Sequence, residues 1–169
     1  MSAEERRQFA VPPARGVLDG IDLSLLDPAD EDDRRLLIEA EHPELQRAIE
    51  DGRREIHTGG QAVSPVLHIA MHEVVANQLW HDDPAEVWET AQRLSADGYE
   101  RHEVLHMLAS VVSGEVYETL RGGQPADMAR FREGLAALPG TWEQLRADIP
   151  AQRHQNRAER RAAARKHRQ

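Results

Sequence analysis

The 169-residue sequence contains no cysteine, one lysine among 21 basic residues, and only 4% aromatic residues. The absence of cysteine excludes disulfide bonds, thiolate metal sites and cysteine nucleophiles, and it is compatible with a reducing cytosol. Because aromatic side chains are few, the hydrophobic core must be largely aliphatic. The preference for arginine over lysine suggests a bacterial genome rich in G and C.

Long apolar segments are also absent from the sequence. No apolar run approaches the roughly 18–20 residues that span a membrane. The charged segment 1–10 lacks the apolar centre of a signal peptide. The sequence therefore predicts a cytoplasmic protein without a membrane segment, long enough for one domain with a real core.

Charge is distributed unevenly along the chain. The net charge is −9 at pH 7, yet residues 150–169 hold seven basic residues and one acidic residue. This tail carries +6, so residues 1–149 carry −15. Such a tail can contact nucleic acid or an acidic partner by counterion release, although segment 151–169 has no aromatic residue to stack on bases. The alternative is a solvated extension, or one that folds back on the acidic body.

Helix caps, prolines and glycines predict an all-α fold, an irregular bundle of about six or seven helices. An irregular N-terminal arm, 1–29, precedes a helical domain, 30–149, and the basic tail, 150–169. Two helices, at 65–80 and about 100–121, are expected to pack together centrally, because the first is apolar on most sides. The other predicted helices cover 30–41, 43–49, 84–96, 125–138 and 141–149. No β alternation of any length is found.

Two segments carry the main chemical signal: L-H-I-A-M-H-E at 67–73 and R-H-E-V-L-H at 101–106. Residues four apart lie on the same face of a helix, so each segment presents a pair of histidines. If the two helices pack together, four imidazoles can reach one ion. We therefore predict a divalent transition-metal site. Four histidines suit Zn, Fe, Mn, Ni or Cu, of which Zn, Fe and Mn are the favoured candidates, whereas Ca and Mg prefer oxygen ligands. The predicted ligands are His68, His72, His102 and His106.

Glu103 is a further candidate, with two competing roles. Segment 102–106 matches H-E-x-x-H, in which two histidines bind zinc and the glutamate activates water. The same residues contain the Glu-x-x-His spacing of di-iron helical bundles, in which Glu103 would itself be a ligand. One class of zinc protease has a third histidine six residues after the second, and that position is Val112 here. The peptidase interpretation is therefore weak, and Glu103 is predicted to be either a base or a ligand.

The alternative to a metal site is a set of core histidines that hydrogen-bond within the protein. Four histidines at matched spacing are hard to satisfy in this way, because each brings polar nitrogens that need partners. A pH-responsive helix pair is a third interpretation, because buried histidines titrate near neutrality. The remaining histidines are expected in solvent, in loops, at helix ends or in the tail. They are His42, His57, His81, His154 and His167.

Segment 64–120 resembles an uncharacterised bacterial helical family with the pattern P-x-L-H-x-x-x-H-x-x-x-x-x-Q-L, an acidic-proline turn, and G-x-x-x-H-x-x-x-H. The matching residues are Pro65, Leu67, His68, His72, Gln78, Leu79, Asp83, Pro84, Gly98, His102 and His106. Similar segments occur beside small zinc-binding C-terminal motifs in other bacterial proteins. The resemblance implies a small helical domain with a paired-histidine metal site and no assigned activity. This chain departs from the pattern by its basic tail and by the lack of a cysteine motif.

The sequence thus favours a metal-binding helical domain. Hydrolysis or oxygen chemistry on an unknown small-molecule or protein partner becomes feasible if one coordination position is open, whereas four protein ligands would make the metal structural. The alternative function is a non-enzymatic interaction module, with structural core histidines and the basic tail as its binding element.

Overall fold

The computed structural model describes residues 2–58, 61–123 and 125–148 of the chain. The all-α class is confirmed, with eight α-helices and two short antiparallel hairpins in these residues. The helices are α1 (Ala3–Ala10), α2 (Glu31–Ala40), α3 (Pro43–Glu50), α4 (Pro65–His81), α5 (Ala85–Ala96), α6 (Arg101–Gly122), α7 (Met128–Ala136) and α8 (Gly140–Asp148). The hairpins pair β1 (Val17–Leu18) with β2 (Ile21–Asp22), and β3 (Ile56–Thr58) with β4 (Gln61–Val63).

Helices α4 and α6 pack against each other at the centre of the bundle, as the sequence predicts. The Ser64 hydroxyl caps α4 by accepting a hydrogen bond from the Leu67 N–H at 3.4 Å, and Pro65 occupies the first helical position. The helix ends at His81, and the C-cap residue Asp82 has a left-handed backbone with φ of 59°. Because α4 is apolar on most sides, it can also pack against α1, α2, α3 and α5.

The main core is aliphatic and lies between α4, α5, α6 and α7. Its fully buried members include Leu79 of α4, Leu94 of α5, Leu108 of α6 and Leu135 of α7. A second, smaller cluster contains Ile38, Leu45, Ile69 and Ala76. This second cluster holds the corner between α2 and α3 against α4.

Pro43 produces the corner between α2 and α3. Pro43 is the first residue of α3, and the residue before a proline is disfavoured in the helical region. α2 therefore ends at Ala40, and α3 starts in a new direction after His42. The side chain of His42 is 2% exposed, so the corner is buried against the rest of the protein.

The N-terminal segment differs from the irregular arm expected for 1–29. Ala3–Ala10 form α1, with a capping box between Ser2 and Glu5. This helix packs on α4, and the Arg6 guanidinium lies 2.7 Å from the Asp82 carboxylate. A charged segment of eight residues is too short to show helical periodicity in the sequence. The helix is stabilised by its N-terminal cap and by its contact with α4.

The hairpins were not expected either, because strands of two or three residues are too short to show alternation. α7 begins at Met128, after the predicted start near 125, because the Asp127 carboxylate caps its first N–H groups.

Among the described helices, none combines the length and apolar character needed to cross a membrane. The basic tail, 150–169, lies outside the described residues.

Replacement of Leu79 by alanine is expected to reduce the free energy of unfolding by about 3 kcal/mol, because its side chain is 0% exposed in the main core. Leu120 is the matched control, since its side chain is 80% exposed on α6. Leu120→Ala should change stability by less than about 0.5 kcal/mol. Urea denaturation of both variants measures the difference, and equal losses would contradict the placement of α4 at the centre.

Candidate metal centre

The structure brings the four predicted histidines together and adds a fifth. Within α4, the ring centroids of His68 and His72 are 4.7 Å apart, and within α6 those of His102 and His106 are 4.5 Å apart. Between the helices, the rings of His72 and His106 are separated by 4.9 Å. The ring of His42, from the corner between α2 and α3, lies 4.5 Å from that of His72. We call these five residues the histidine cluster.

The ring nitrogens of four cluster members are close enough to surround one ion. His42, His72, His102 and His106 each offer one nitrogen, and these atoms all lie within 4.8 Å of one another. In a tetrahedral zinc site with Zn–N bonds of about 2.1 Å, two nitrogens lie about 3.4 Å apart. The donor group is therefore somewhat wider than a closed coordination shell, and small movements of the rings would close it around an ion. His68 lies beside this group, with its ring 5.1 Å from that of His106.

Burial leaves the cluster's nitrogens without ordinary partners. His42 is 2% exposed and His72 is 3% exposed. The Nε2 atoms of four members are buried and have no hydrogen-bond partner among the described residues; they belong to His42, His68, His72 and His106. Buried polar atoms are nearly always hydrogen-bonded, so four such nitrogens side by side are an unusual feature of the described residues.

A backbone contact determines the tautomer of His42. Its Nδ1 lies 2.9 Å from the Ile38 carbonyl oxygen, which can only accept a hydrogen bond. In the neutral ring, Nδ1 therefore carries the proton and Nε2 carries the lone pair. The lone pair of the buried Nε2 can therefore accept a hydrogen bond or bind a metal ion.

A carboxylate similarly orients His102. The Nδ1 of His102 lies 3.5 Å from Glu41 Oε1, and the same oxygen accepts a hydrogen bond from Arg101 Nη1 at 2.6 Å. Burial alone would raise the pKa of Glu41, but the hydrogen bond from His102 and the charge of Arg101 outweigh it and lower that pKa. An ionised carboxylate behind the ring directs the other ring nitrogen of His102 toward the cluster, as such groups do behind metal-binding histidines.

The buried histidines are held in their neutral form. Burial, assisted by repulsion from neighbouring histidines, lowers the pKa of His72 to about 2 and the pKa values of His68 and His106 to about 4. Burial also lowers the pKa of His42. The neutral ring is the form that binds metal ions, so no proton has to be displaced at neutral pH.

Glu103 is not part of the donor group. Its carboxylate accepts a hydrogen bond from Arg146 of α8 at 2.6 Å, and the described donor group contains histidines alone. Successive residues on a helix are rotated by about 100°, so Glu103 faces α8 while His102 faces the cluster. The assignment of Glu103 as ligand or base stays a prediction, without support from this arrangement.

The expectation that His42 lies in solvent is wrong. His42 has no second histidine at helical spacing, so the pair pattern did not identify it. The available signal was the position between two amphipathic helices, followed by Pro43, which places a side chain in a helix corner. His57 and His81 are exposed, as predicted. His154 and His167 lie outside the described residues.

The fold and the site define an all-helical domain with a buried histidine cluster. Residues 24–137 match the family described as a domain of unknown function, DUF1841, and the chain belongs to that family. All five cluster histidines lie within the matched range, whereas α1 and α8 lie outside it. Comparisons with curated proteins and with solved structures gave no match. The family is therefore uncharacterised, as the sequence resemblance implied.

The metal-free protein is expected to lose stability as the pH falls from about 6.5 toward 4. The unfolded histidines have pKa values near 6.5, whereas His72 and His106 are lowered to about 2 and about 4 in the fold. The unfolded chain therefore binds more protons in this window, so stability is fully present above it and decreases as the pH falls. Each proton taken up on unfolding contributes up to about 1.4 kcal/mol per pH unit.

Urea denaturation of chelator-treated protein at several pH values between 7.5 and 5 measures this dependence. A His72→Gln variant should depend less steeply on pH, whereas His81→Gln, an exposed control on the same helix, should behave as the wild type. Identical slopes for all three proteins would contradict the burial of neutral histidines.

Proposed function

We propose that this protein is a metal-binding domain whose donor group holds one divalent transition-metal ion. The supporting observation is the approach of four ring nitrogens to within 4.8 Å of one another. The four ligands are His42, His72, His102 and His106. They come from α4, α6 and the corner between α2 and α3, so the folded chain preorganises them before an ion binds.

The donor chemistry favours first-row transition metals. Imidazole nitrogen suits Zn, Fe, Ni and Cu, whereas Mn is more often held by carboxylate and water oxygens. Ca and Mg prefer shells of oxygen atoms, which an all-histidine group does not supply. Of the predicted ions Zn, Fe and Mn, the all-histidine donor group therefore favours Zn or Fe.

His68 gives the site a fifth imidazole. Its ring lies 4.7 Å from that of His72, and its Nε2 is buried without a hydrogen-bond partner in the described part of the chain. A modest rearrangement of α4 side chains would bring this nitrogen to the ion. Five imidazoles exceed the four ligands of an ordinary structural zinc site.

A role as an enzyme depends on a free coordination position. The side chain of His102 is 39% exposed, which supports access of solvent-borne ligands to the ion. Metal-dependent hydrolysis or oxygen chemistry on an unknown substrate belongs to the proposal on that condition. Glu103 would take part only if its ion pair with Arg146 opened.

The alternative, an interaction module with structural core histidines, predicts that the buried nitrogens hydrogen-bond to protein groups. Four Nε2 atoms without such partners in the described residues favour the metal instead. Contact of the tail, 151–169, with nucleic acid or an acidic partner stays a prediction from its charge.

Protein purified without an affinity tag is expected to contain about one transition-metal ion per chain. His72→Ala and His106→Ala should each reduce the content below about a tenth of an ion, because each removes a central ligand. His81→Ala is the control, since His81 is exposed at the end of α4. Elemental analysis measures the metal content.

Metal added at a hundredfold excess over Kd should raise the free energy of unfolding of the wild type by about 2.7 kcal/mol.

The metal proposal fails if the wild type contains less than about a tenth of an ion per chain and Zn, Fe and Mn do not stabilise it. Loss of metal from His81→Ala as complete as that from His72→Ala would also contradict the assigned ligands.

Glu41→Gln is expected to weaken metal affinity by a factor of roughly 10, because a neutral amide orients and polarises the His102 ring less than a carboxylate does. Glu44→Gln is the matched control. Glu44 is exposed on α3 and acts on His68 only through its charge. Competition with a chromogenic chelator measures both affinities, and equal effects would show that Glu41 contributes charge alone.

A further inference from the structure

The glutamates adjacent to cluster histidines in the sequence are all paired with arginines. Each carboxylate lies within ion-pair distance of a guanidinium on another helix. The pairs are Glu41 with Arg101 at 2.6 Å, Glu73 with Arg35 at 3.2 Å, and Glu103 with Arg146 at 2.6 Å. None of these three carboxylates is therefore a free anion for a metal ion in the cluster. Glu44, whose charge also acts on the cluster, is exposed to solvent and lies outside the donor group.

An all-imidazole shell leaves the charge of a divalent ion uncompensated. Neutral histidines contribute no negative charge. The three adjacent glutamates already form ion pairs with arginines, one of which, Arg35, is shared with Glu39. A bare charge in a largely buried site is costly unless an opposite charge accompanies it. An ion in this cluster would therefore favour a negatively charged ligand over a neutral one.

Trp142 supplies a hydrogen-bond donor beside the cluster. Its ring centroid lies 6.3 Å from that of His106, and its Nε1 is buried without a partner in the part of the chain that the structure describes. An indole N–H can only donate, so it requires an acceptor. If the histidine nitrogens are occupied by the ion, the acceptor lies outside the described residues, and a ligand on the ion can fill that role.

Building on the proposed metal site, we infer that the bound ion takes one small anion as an additional ligand, to which the Trp142 indole N–H donates a hydrogen bond. The ligand class is a compact monovalent anion with lone pairs, such as azide, a halide or a small carboxylate. The exposed portion of His102 gives such a ligand a route from solvent. Trp142 is a positioning residue for the anion and contributes nothing to the metal shell.

Titration of the cobalt(II)-loaded protein with azide tests this inference, with visible absorption as the measurement. Azide should shift the ligand-field bands saturably. Trp142→Phe keeps the ring and removes the N–H, so it should raise the Kd for azide by a factor of roughly 10. The cobalt content should stay at about one per chain. Trp88→Phe is the control, because Trp88 packs against Phe9 at a centroid distance of 5.6 Å and should leave the Kd unchanged.

A second measurement uses the zinc-loaded wild type, so that it does not depend on the folding of a variant. With ¹⁵N-labelled tryptophan, the Trp142 indole proton should move downfield when azide is added, while the Trp80 and Trp88 signals should remain in place. The same experiments separate the two proposals. No cobalt binding overturns the metal site itself. Cobalt binding without an azide response overturns only the anion ligand, and equal azide affinity in Trp142→Phe overturns the role of Trp142.

Discussion

Four buried imidazole nitrogens without hydrogen-bond partners in the described residues impose the main constraint on this structure. A buried polar atom left unpaired costs about 1–3 kcal/mol, and the free energy of unfolding of a domain is only about 5–15 kcal/mol. Several such costs at one place would consume much of that stability. A metal ion held by the proposed ligands would give three of these nitrogens a partner, those of His42, His72 and His106. The free energy of metal binding would then become part of the folding free energy.

The rest of the fold holds the five histidine rings of the cluster in place. The aliphatic core fixes α4 against α6, so the two histidine pairs face each other. Pro43 ends one helix and starts the next, which turns His42 into the same space. The Ile38 carbonyl and the Glu41 carboxylate then orient the rings of His42 and His102 from behind. The adjacent carboxylates of Glu41, Glu73 and Glu103 form ion pairs with arginines. The buried histidines themselves are neutral.

The sequence was sufficient to predict the elements with long, strongly periodic patterns. Helical spacing identified His68, His72, His102 and His106, and the caps and prolines placed α4 and α6 within a residue or two of their observed ends. Spacing carries information only within one helix. It therefore could not identify His42, whose approach to the cluster depends on how the corner between α2 and α3 packs.

Orientation between helices explains the other differences. Glu103 is the glutamate of an H-E-x-x-H pattern, but α8 provides Arg146 on the side toward which Glu103 points. The pattern within α6 does not contain that partner. Likewise, α1 is too short and too charged to be identified from periodicity, and its contact with α4 stabilises it. These are tertiary effects, which local patterns of residues do not encode.

X-ray absorption spectroscopy of the zinc-loaded, tag-free protein tests the central claim most directly. A metal centre in the histidine cluster predicts four or five nitrogen-type scatterers at about 2.0–2.1 Å, together with the outer-shell scattering typical of imidazole rings. The imidazole signal should weaken in His72→Ala. A shell of oxygen-type scatterers with fewer than two imidazoles, unchanged in that variant, would show that zinc binds elsewhere and would contradict the proposed site.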